Sequence, residues 1–149
     1  MEKIHSVCEL KVSYMPKYKE VLKVTSSRIA FEYLVQLYPL ETIQLKEQFV
    51  VLYLNNRKRI IGAYKLSEGG QQATVVDIKI VLGVALKIAA SGIILSHNHP
   101  SGETQPSKPD IDCSLRIKDA CNLLDLKLVD HIILGSPVTY LSMRDEGLI

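Results

Sequence analysis

The apolar positions of the chain follow two different periods, and their order predicts strands interleaved with helices. Alternating or continuous apolar runs, typical of strands, occupy residues 8–14, 48–54, 59–66, 93–96, 129–134 and 138–141. Apolar residues that recur every three or four positions predict three helices, beginning near residues 26, 76 and 107. Turn residues between the second and third strands predict an antiparallel hairpin. The mixture predicts an α/β (α+β) fold, a mixed β-sheet flanked by helices.

Each predicted helix has one apolar face. Ser26 or Ser27 is expected to cap the first helix, and Pro39 to end it, because proline cannot continue a helix. The residues that we expect to be buried are Ile29, Ala30, Tyr33, Leu34 and Leu37 in the first helix, Val76, Ile80, Val81, Val84, Ala85 and Ile88 in the second, and Cys113, Ile117, Ala120, Cys121 and Leu124 in the third.

Composition and charge narrow the classes of protein that need to be considered. With 47% hydrophobic and 23% charged residues over 149 positions, the chain can bury a core of its own. A net charge of +2, dispersed along the sequence, does not support a nucleic-acid surface, and the basic residues 57–59 fit the solvated tip of the hairpin. No apolar stretch is long enough to span a membrane. Three cysteines, with neither a paired spacing nor a leader, predict free thiols and a cytoplasmic location.

Candidate chemistry is concentrated between residues 96 and 110. His97 and His99 follow an apolar strand, and residues two apart in an extended chain project to the same side. Asp110 lies at the start of the third helix, where a carboxylate complements the helix dipole. Two imidazoles and one carboxylate, with a fourth position open to water, are the ligand set of a catalytic zinc.

These residues also have structural explanations. A His-x-His pair taken alone is equally compatible with two ordinary loop histidines. Ser107 and Asp110 resemble a capping box, in which side chains of the first turn satisfy the free N–H groups of a helix. A hydrolytic site would also need a proton acceptor, and spacing alone does not choose among Glu47, Glu103 and Asp112.

A family resemblance favours the functional explanation. His97 and His99, followed after a gap of seven residues by Ser107-x-x-Asp110, resemble the JAMM (MPN+) metalloprotease pattern. All four residues agree with that pattern in type and in spacing.

The surrounding segments are similar to those of the RadC family, which carries a JAB/JAMM domain. They are LSHNHPSG at residues 95–102 and LVDHIILG at residues 128–135. The resemblance implies the JAB/MPN architecture, which is cytidine-deaminase-like. It also implies an N-terminal strand and helix extension at residues 1–45, followed by a RadC-like JAB/JAMM domain at residues 46–149.

The activity that the resemblance implies is a zinc-dependent metallohydrolase, a peptidase or isopeptidase acting on a protein substrate. His97, His99 and Asp110 would hold Zn²⁺. Glu47 would be the general base, and Ser107 would hydrogen-bond the oxyanion of the tetrahedral intermediate. Zinc lowers the pKa of a bound water to about 7, so a carboxylate is a sufficient base at neutral pH.

The sequence departs from the family pattern in three places. Longer RadC relatives carry a helix-hairpin-helix module, and residues 1–45 do not show its paired short helices. Lys79 stands where arginine is usual, and lysine lacks the planar pair of donors of arginine. Thr74, where serine is common, keeps the hydroxyl.

The roles of His131 and Asp130 are left open by the sequence. His131 lies within a predicted strand and is compatible with a place beside the zinc or with a hydrogen-bonded core position. Asp130 could orient an imidazole in either case.

Three other functions compete with hydrolysis. A DNA-repair-associated factor that binds nucleic acid or protein is the alternative that the family name suggests, although the dispersed charge does not support it. A nucleobase deaminase would need a Pro-Cys-x-x-Cys segment and a His-x-Glu, which the sequence lacks. A catalytically inactive interaction module would have lost a ligand, and all three are present.

Overall fold

The computed structural model describes residues 14–15, 22–69 and 76–149. The described elements are α1 (Ser27–Val35), β1 (Gln48–Leu54), β2 (Ile60–Glu68), α2 (Ile78–Lys87), β3 (Gly92–Asn98), α3 (Lys108–Leu123), β4 (Lys127–Leu134) and β5 (Tyr140–Ser142). The predicted strand at residues 8–14 lies outside the described residues except for Tyr14, and Thr74 lies outside them as well.

The strands form one mixed sheet in the order β2-β1-β3-β4-β5. β1 pairs antiparallel with β2 and with β3, β3 pairs parallel with β4, and β4 pairs antiparallel with β5. The predicted α+β class, the mixed sheet and the hairpin of β1 with β2 are confirmed. The parallel step is possible because α3 carries the chain from the end of β3 back to the start of β4.

Helices cover both faces of the sheet, because the central strands bury the side chains of both faces. One hydrophobic cluster joins α1 to Val50, Leu52 and Ile94. The other joins α2 and α3 to alternate residues of the same strands, including Val51 and Leu95. The division of the chain at residue 45 stays a prediction, whereas α1 shares its core with the sheet.

The helix boundaries agree with the sequence better than the buried faces do. Ser26 caps α1, and its side chain accepts from the amide of Ile29. Three of the residues predicted to be buried are exposed: Leu37 by 36%, Ile80 by 41% and Leu124 by 41%. Leu37 and Leu124 lie beyond the last residues of their helices, where the helical period no longer applies. In α2 the buried residues are Val81 and Ala85, which were predicted, and Leu82, which was not.

The segment that joins β3 to α3 is held against the end of β4. His99 donates its amide to the carbonyl of Leu134 at 2.9 Å. Gly102 has a φ of +86°, which favours glycine. A Cβ on Gly135 would lie 2.3 Å from the carbonyl oxygen of Gly102, so only glycine permits this close approach. The loop is thus fixed on both sides, and it brings the start of α3 to the end of β3.

No helix within residues 22–69 and 76–149 is long and apolar enough to cross a membrane.

Candidate metal centre

Three side chains with metal-binding atoms meet where β3 ends and α3 begins. His97 and His99 lie at the end of β3, and Asp110 lies in the first turn of α3. One ligand atom from each residue lies within 4.8 Å of the others. The two Nε2 atoms are 2.9 Å apart, and the carboxylate oxygens of Asp110 lie 3.4 Å from His97 Nε2 and 3.5 Å from His99 Nε2. The three predicted ligands therefore form a cluster that can hold a metal ion.

The hydrogen bond on the far side of His99 shows that the cluster suits a cation. His99 Nδ1 lies 2.7 Å from the backbone carbonyl of Glu103. A carbonyl only accepts, so Nδ1 carries the ring proton, and the neutral ring presents the Nε2 lone pair to His97 and Asp110. A lone pair and a carboxylate that face each other repel unless a positive charge lies between them. Two imidazoles and a carboxylate are donors that zinc accepts, so these residues fit Zn²⁺.

Asp110 and His99 influence each other's ionisation. Burial alone would raise the pKa of Asp110, but the imidazoles of His97 and His99 beside it hold that pKa well below its ordinary value. When His99 is protonated on both nitrogens it can donate to Asp110, and this hydrogen bond raises the pKa of His99, against the effect of burial. The carboxylate is therefore ionised at neutral pH, as a metal ligand must be.

Ser107 caps α3 through the third ligand. Its hydroxyl accepts from the amide of Asp110 at 3.2 Å and donates to Asp110 Oδ2 at 2.7 Å, while its own amide donates to the same oxygen at 2.7 Å. This is the predicted capping box, with aspartate in place of glutamate or glutamine. The cap fixes the carboxylate and occupies the hydroxyl proton. The role of Ser107 toward an oxyanion stays a prediction.

Glu47 lies directly before β1 and is 9% exposed. The buried side chain of Asn98 holds this segment in place. Its amide donates to the carbonyls of Ile43 at 2.6 Å and Lys46 at 2.8 Å, and its oxygen accepts from the amide of Gln48 at 2.8 Å. Because Asn98 stands between the two histidines, the strand that carries the ligands also positions Glu47.

Two cavities adjoin the cluster, and Glu47 lines both. One of about 230 Å³ is also lined by His97 and Asp110, and its apolar wall includes Phe49 and Ile78. The other, of about 360 Å³, is also lined by His99 and by residues 100–101. Glu47 thus borders the same space as the metal ligands, although its role as a base stays a prediction.

The two other candidate acids have different partners. Glu103 offers its backbone carbonyl to His99 and exposes its side chain, and Asp112 pairs with Lys108 at 3.9 Å on the exposed surface of α3. Lys79, which stands in place of the family's arginine, is exposed on α2. Of these three candidate acids, Glu47 is the one that lines the cavities beside the cluster.

His131 and Asp130 separate into two roles. Nε2 of His131 lies 2.8 Å from Nδ1 of His97, and its Nδ1 lies 2.6 Å from Oγ of Ser114. Burial holds the pKa of His131 well below its ordinary value, so the ring is neutral. Asp130 instead accepts from the backbone amides of His131 and Arg144. The imidazole thus contacts a metal ligand, whereas the carboxylate organises the backbone behind it.

Three residues around the site were missed by sequence reasoning: Phe49, Asn98 and Ser114. The ring of Phe49 stacks on that of His97, with centroids 5.9 Å apart and an angle of 2° between their planes. Ser114 is completely buried and shares a face of α3 with Ile117 and Cys121. A serine at an apolar position of a helix was the available signal, since a buried hydroxyl needs a partner.

Comparisons with known proteins match this architecture. A family model described as RadC-like JAB domain matches residues 24–148. The UPF0758 protein of Flavobacterium johnsoniae is 41% identical over 126 residues, which are 85% of this chain and 53% of that protein. The UPF0758 protein of Porphyromonas gingivalis is 40% identical over 126 residues, which are 85% of this chain and 54% of that protein. The UPF0758 protein of Carboxydothermus hydrogenoformans is 45% identical over 103 residues, which are 69% and 45% of the two chains. The chain thus spans about half the length of these curated relatives.

Proposed function

The chain belongs to the RadC-like JAB domain family, and from this membership we propose that it is a zinc-dependent hydrolase of peptide or isopeptide bonds. The observation that carries the proposal is the convergence of His97, His99 and Asp110 within 4.8 Å, beside a cavity that Glu47 lines. A JAB domain is commonly that of a metal-dependent hydrolase, and a cluster that can hold a metal ion supports the same chemistry here.

The proposed roles follow from the donor set. His97, His99 and Asp110 hold Zn²⁺, which when bound lowers the pKa of water to about 7 and polarises a carbonyl. Glu47 accepts a proton from the attacking water and passes it to the leaving amine. Ser107 donates to the oxyanion, for which its hydroxyl must turn away from Asp110 Oδ2.

The cavities support an extended substrate chain. Because both are lined by Glu47, a polypeptide that occupies both would place one amide beside that carboxylate. The wall of Phe49 and Ile78 suits an apolar side chain, and Arg116 adds a cation to the same cavity. A peptide or an isopeptide-linked protein is therefore the proposed substrate class. Nucleic-acid binding and the activity of the longer relatives remain separate hypotheses.

The test begins with metal content. Zinc-loaded protein without an affinity tag is expected to contain about one zinc per chain by elemental analysis, and His97→Ala/His99→Ala protein to contain almost none. Glu47→Gln protein is the matched control, since it keeps all three ligands. It is expected to bind zinc like the wild type and to lose hydrolysis of a peptide library. Wild-type protein that binds no zinc at neutral pH would contradict the proposal.

A further inference from the structure

A buried line of polar side chains connects α3 to the first metal ligand. It consists of Ser114, His131 and His97, which are 0%, 1% and 1% exposed. Oγ of Ser114 lies 2.6 Å from Nδ1 of His131, and Nε2 of His131 lies 2.8 Å from Nδ1 of His97. We name this line the relay. Both of its contacts are short enough to be full hydrogen bonds, so each must contain one proton.

The direction of these protons is set at the α3 end. The hydroxyl of Ser114 has one proton, and it donates to the backbone carbonyl of Asp110 at 2.7 Å. That carbonyl only accepts, so no other arrangement places a proton in this contact. Oγ of Ser114 must then accept from His131, whose proton is on Nδ1. The lone pair of His131 is therefore on Nε2.

The same logic carries the assignment to the metal ligand. Nε2 of His131 can only accept, so Nδ1 of His97 donates to it and carries the ring proton. In the neutral ring of His97 the lone pair is then on Nε2, the atom that lies 2.9 Å from Nε2 of His99. The reverse direction would place a proton on His97 Nε2 and block that atom as a ligand.

We propose that Ser114 and His131 are positioning residues that fix the tautomer and the ring plane of His97, so that its Nε2 is available to a metal ion. The proposal rests on the metal site of the proposed function. Because Ser114 also donates to the carbonyl of Asp110, the relay connects two of the predicted ligands, which lie on different elements. Phe49 supports the arrangement, because it stacks on His97 and meets His131 edge-on at 5.6 Å.

Variants at His131 test the relay. His131→Phe keeps a ring of similar shape but cannot accept from His97, whereas His131→Gln can accept through its oxygen and donate to Ser114 through its amide. We expect His131→Phe to weaken zinc binding by about 10- to 100-fold in a chelator competition, and His131→Gln to restore most of the loss. Tyr38→Phe is the matched control, since it removes a buried hydroxyl bonded to Ser96 on the opposite face. It is expected to leave the zinc affinity unchanged.

Variants at Ser114 test the direction of the protons. Long-range ¹⁵N–¹H NMR correlations distinguish a protonated ring nitrogen from one that carries a lone pair. His131 is expected to carry its proton on Nδ1 in metal-free and in zinc-loaded wild-type protein, and His97 on Nδ1 when zinc is bound. Ser114→Ala should abolish the fixed tautomer of His131, and Ser114→Thr should retain it.

The outcomes separate the relay from the metal site itself. A wild-type protein without zinc affinity would overturn the proposed function, while the tautomer of His131 in the metal-free protein would still test the relay. A proton on Nε2 of His131 would overturn the relay even if zinc binds. Folded His131→Phe protein with wild-type zinc affinity would overturn it as well.

Discussion

Asp130 and His131 are neighbours on β4, and both are 1% exposed, yet they face opposite sides of the sheet and belong to networks of opposite kinds. The carboxylate of Asp130 accepts from two backbone amides and from the hydroxyl of Ser142 at 2.6 Å. That network is closed, because every one of these donors finds its acceptor in the carboxylate of Asp130. The network of His131 is open, because it passes through His97 to a group of acceptors.

The two networks contribute different properties to the molecule. A closed network leaves no capacity for a ligand, so its effect is on stability. An open network ends in lone pairs that face each other, so these acceptors need a proton or a cation from outside the chain. Burial alone does not distinguish the two. The direction of the hydrogen bonds does.

The largest effect that we expect comes from breaking the closed network. Asp130→Ala would leave the amides of His131 and Arg144 and the buried hydroxyl of Ser142 without their acceptor, and we expect it to lower the free energy of unfolding by about 4 kcal/mol. Urea denaturation monitored by circular dichroism measures this loss. Zinc affinity should stay near that of the wild type when it is measured without urea, at a temperature at which the variant is folded. A large loss of zinc affinity with little loss of stability would reverse the assignment of the two networks.

The sequence predicts features that depend on neighbouring residues better than contacts between distant ones. The ends of β1 and the capping box of Ser107 and Asp110 follow from local pattern, and the structure reproduces them. The convergence of His97, His99 and Asp110 also follows from a motif on one strand and the next helix. Local spacing was sufficient here because the participating residues are close in the chain.

What the sequence did not reveal depends on contacts between distant residues. The contact of His97 with His131 requires the parallel register of β3 against β4. The two histidines are 34 positions apart in the chain, and no local period encodes their contact. The position of Glu47 depends on Asn98, whose side-chain oxygen accepts from the amide of Gln48, 50 residues earlier in the chain. Exposed apolar residues such as Ile80 were misassigned because helical period alone does not define which face meets the sheet.

A smaller effect is expected at Asn98, whose closed network supports the open site. Asn98→Ala removes three hydrogen bonds to the segment before β1, each worth about 1 kcal/mol, and we expect a loss of about 2 kcal/mol in the free energy of unfolding after partial rehydration of those groups. The amide of Gln48 should also exchange its hydrogen faster with solvent. The zinc affinity should change little, because Asn98 projects away from the ligands toward the backbone of residues 43–48. An unchanged exchange rate at Gln48 would show that Asn98 does not hold this segment.

The smallest effect that we expect is the pH dependence of stability that His99 confers on the metal-free protein. The hydrogen bond with Asp110 raises the pKa of His99, so the folded protein binds this proton more tightly than the unfolded chain does. The resulting stability is fully present below the unfolded pKa of about 6.5 and is lost as the pH rises through the higher folded value. Urea midpoints of metal-free wild-type and His99→Gln protein, compared between about pH 5.5 and about pH 8.5, should therefore converge as the pH increases. Saturating zinc should reverse this trend, because protons compete with the metal for the same lone pair. In the absence of metal, a stability advantage of the wild type that grows with pH would contradict the assignment of the proton to this cluster.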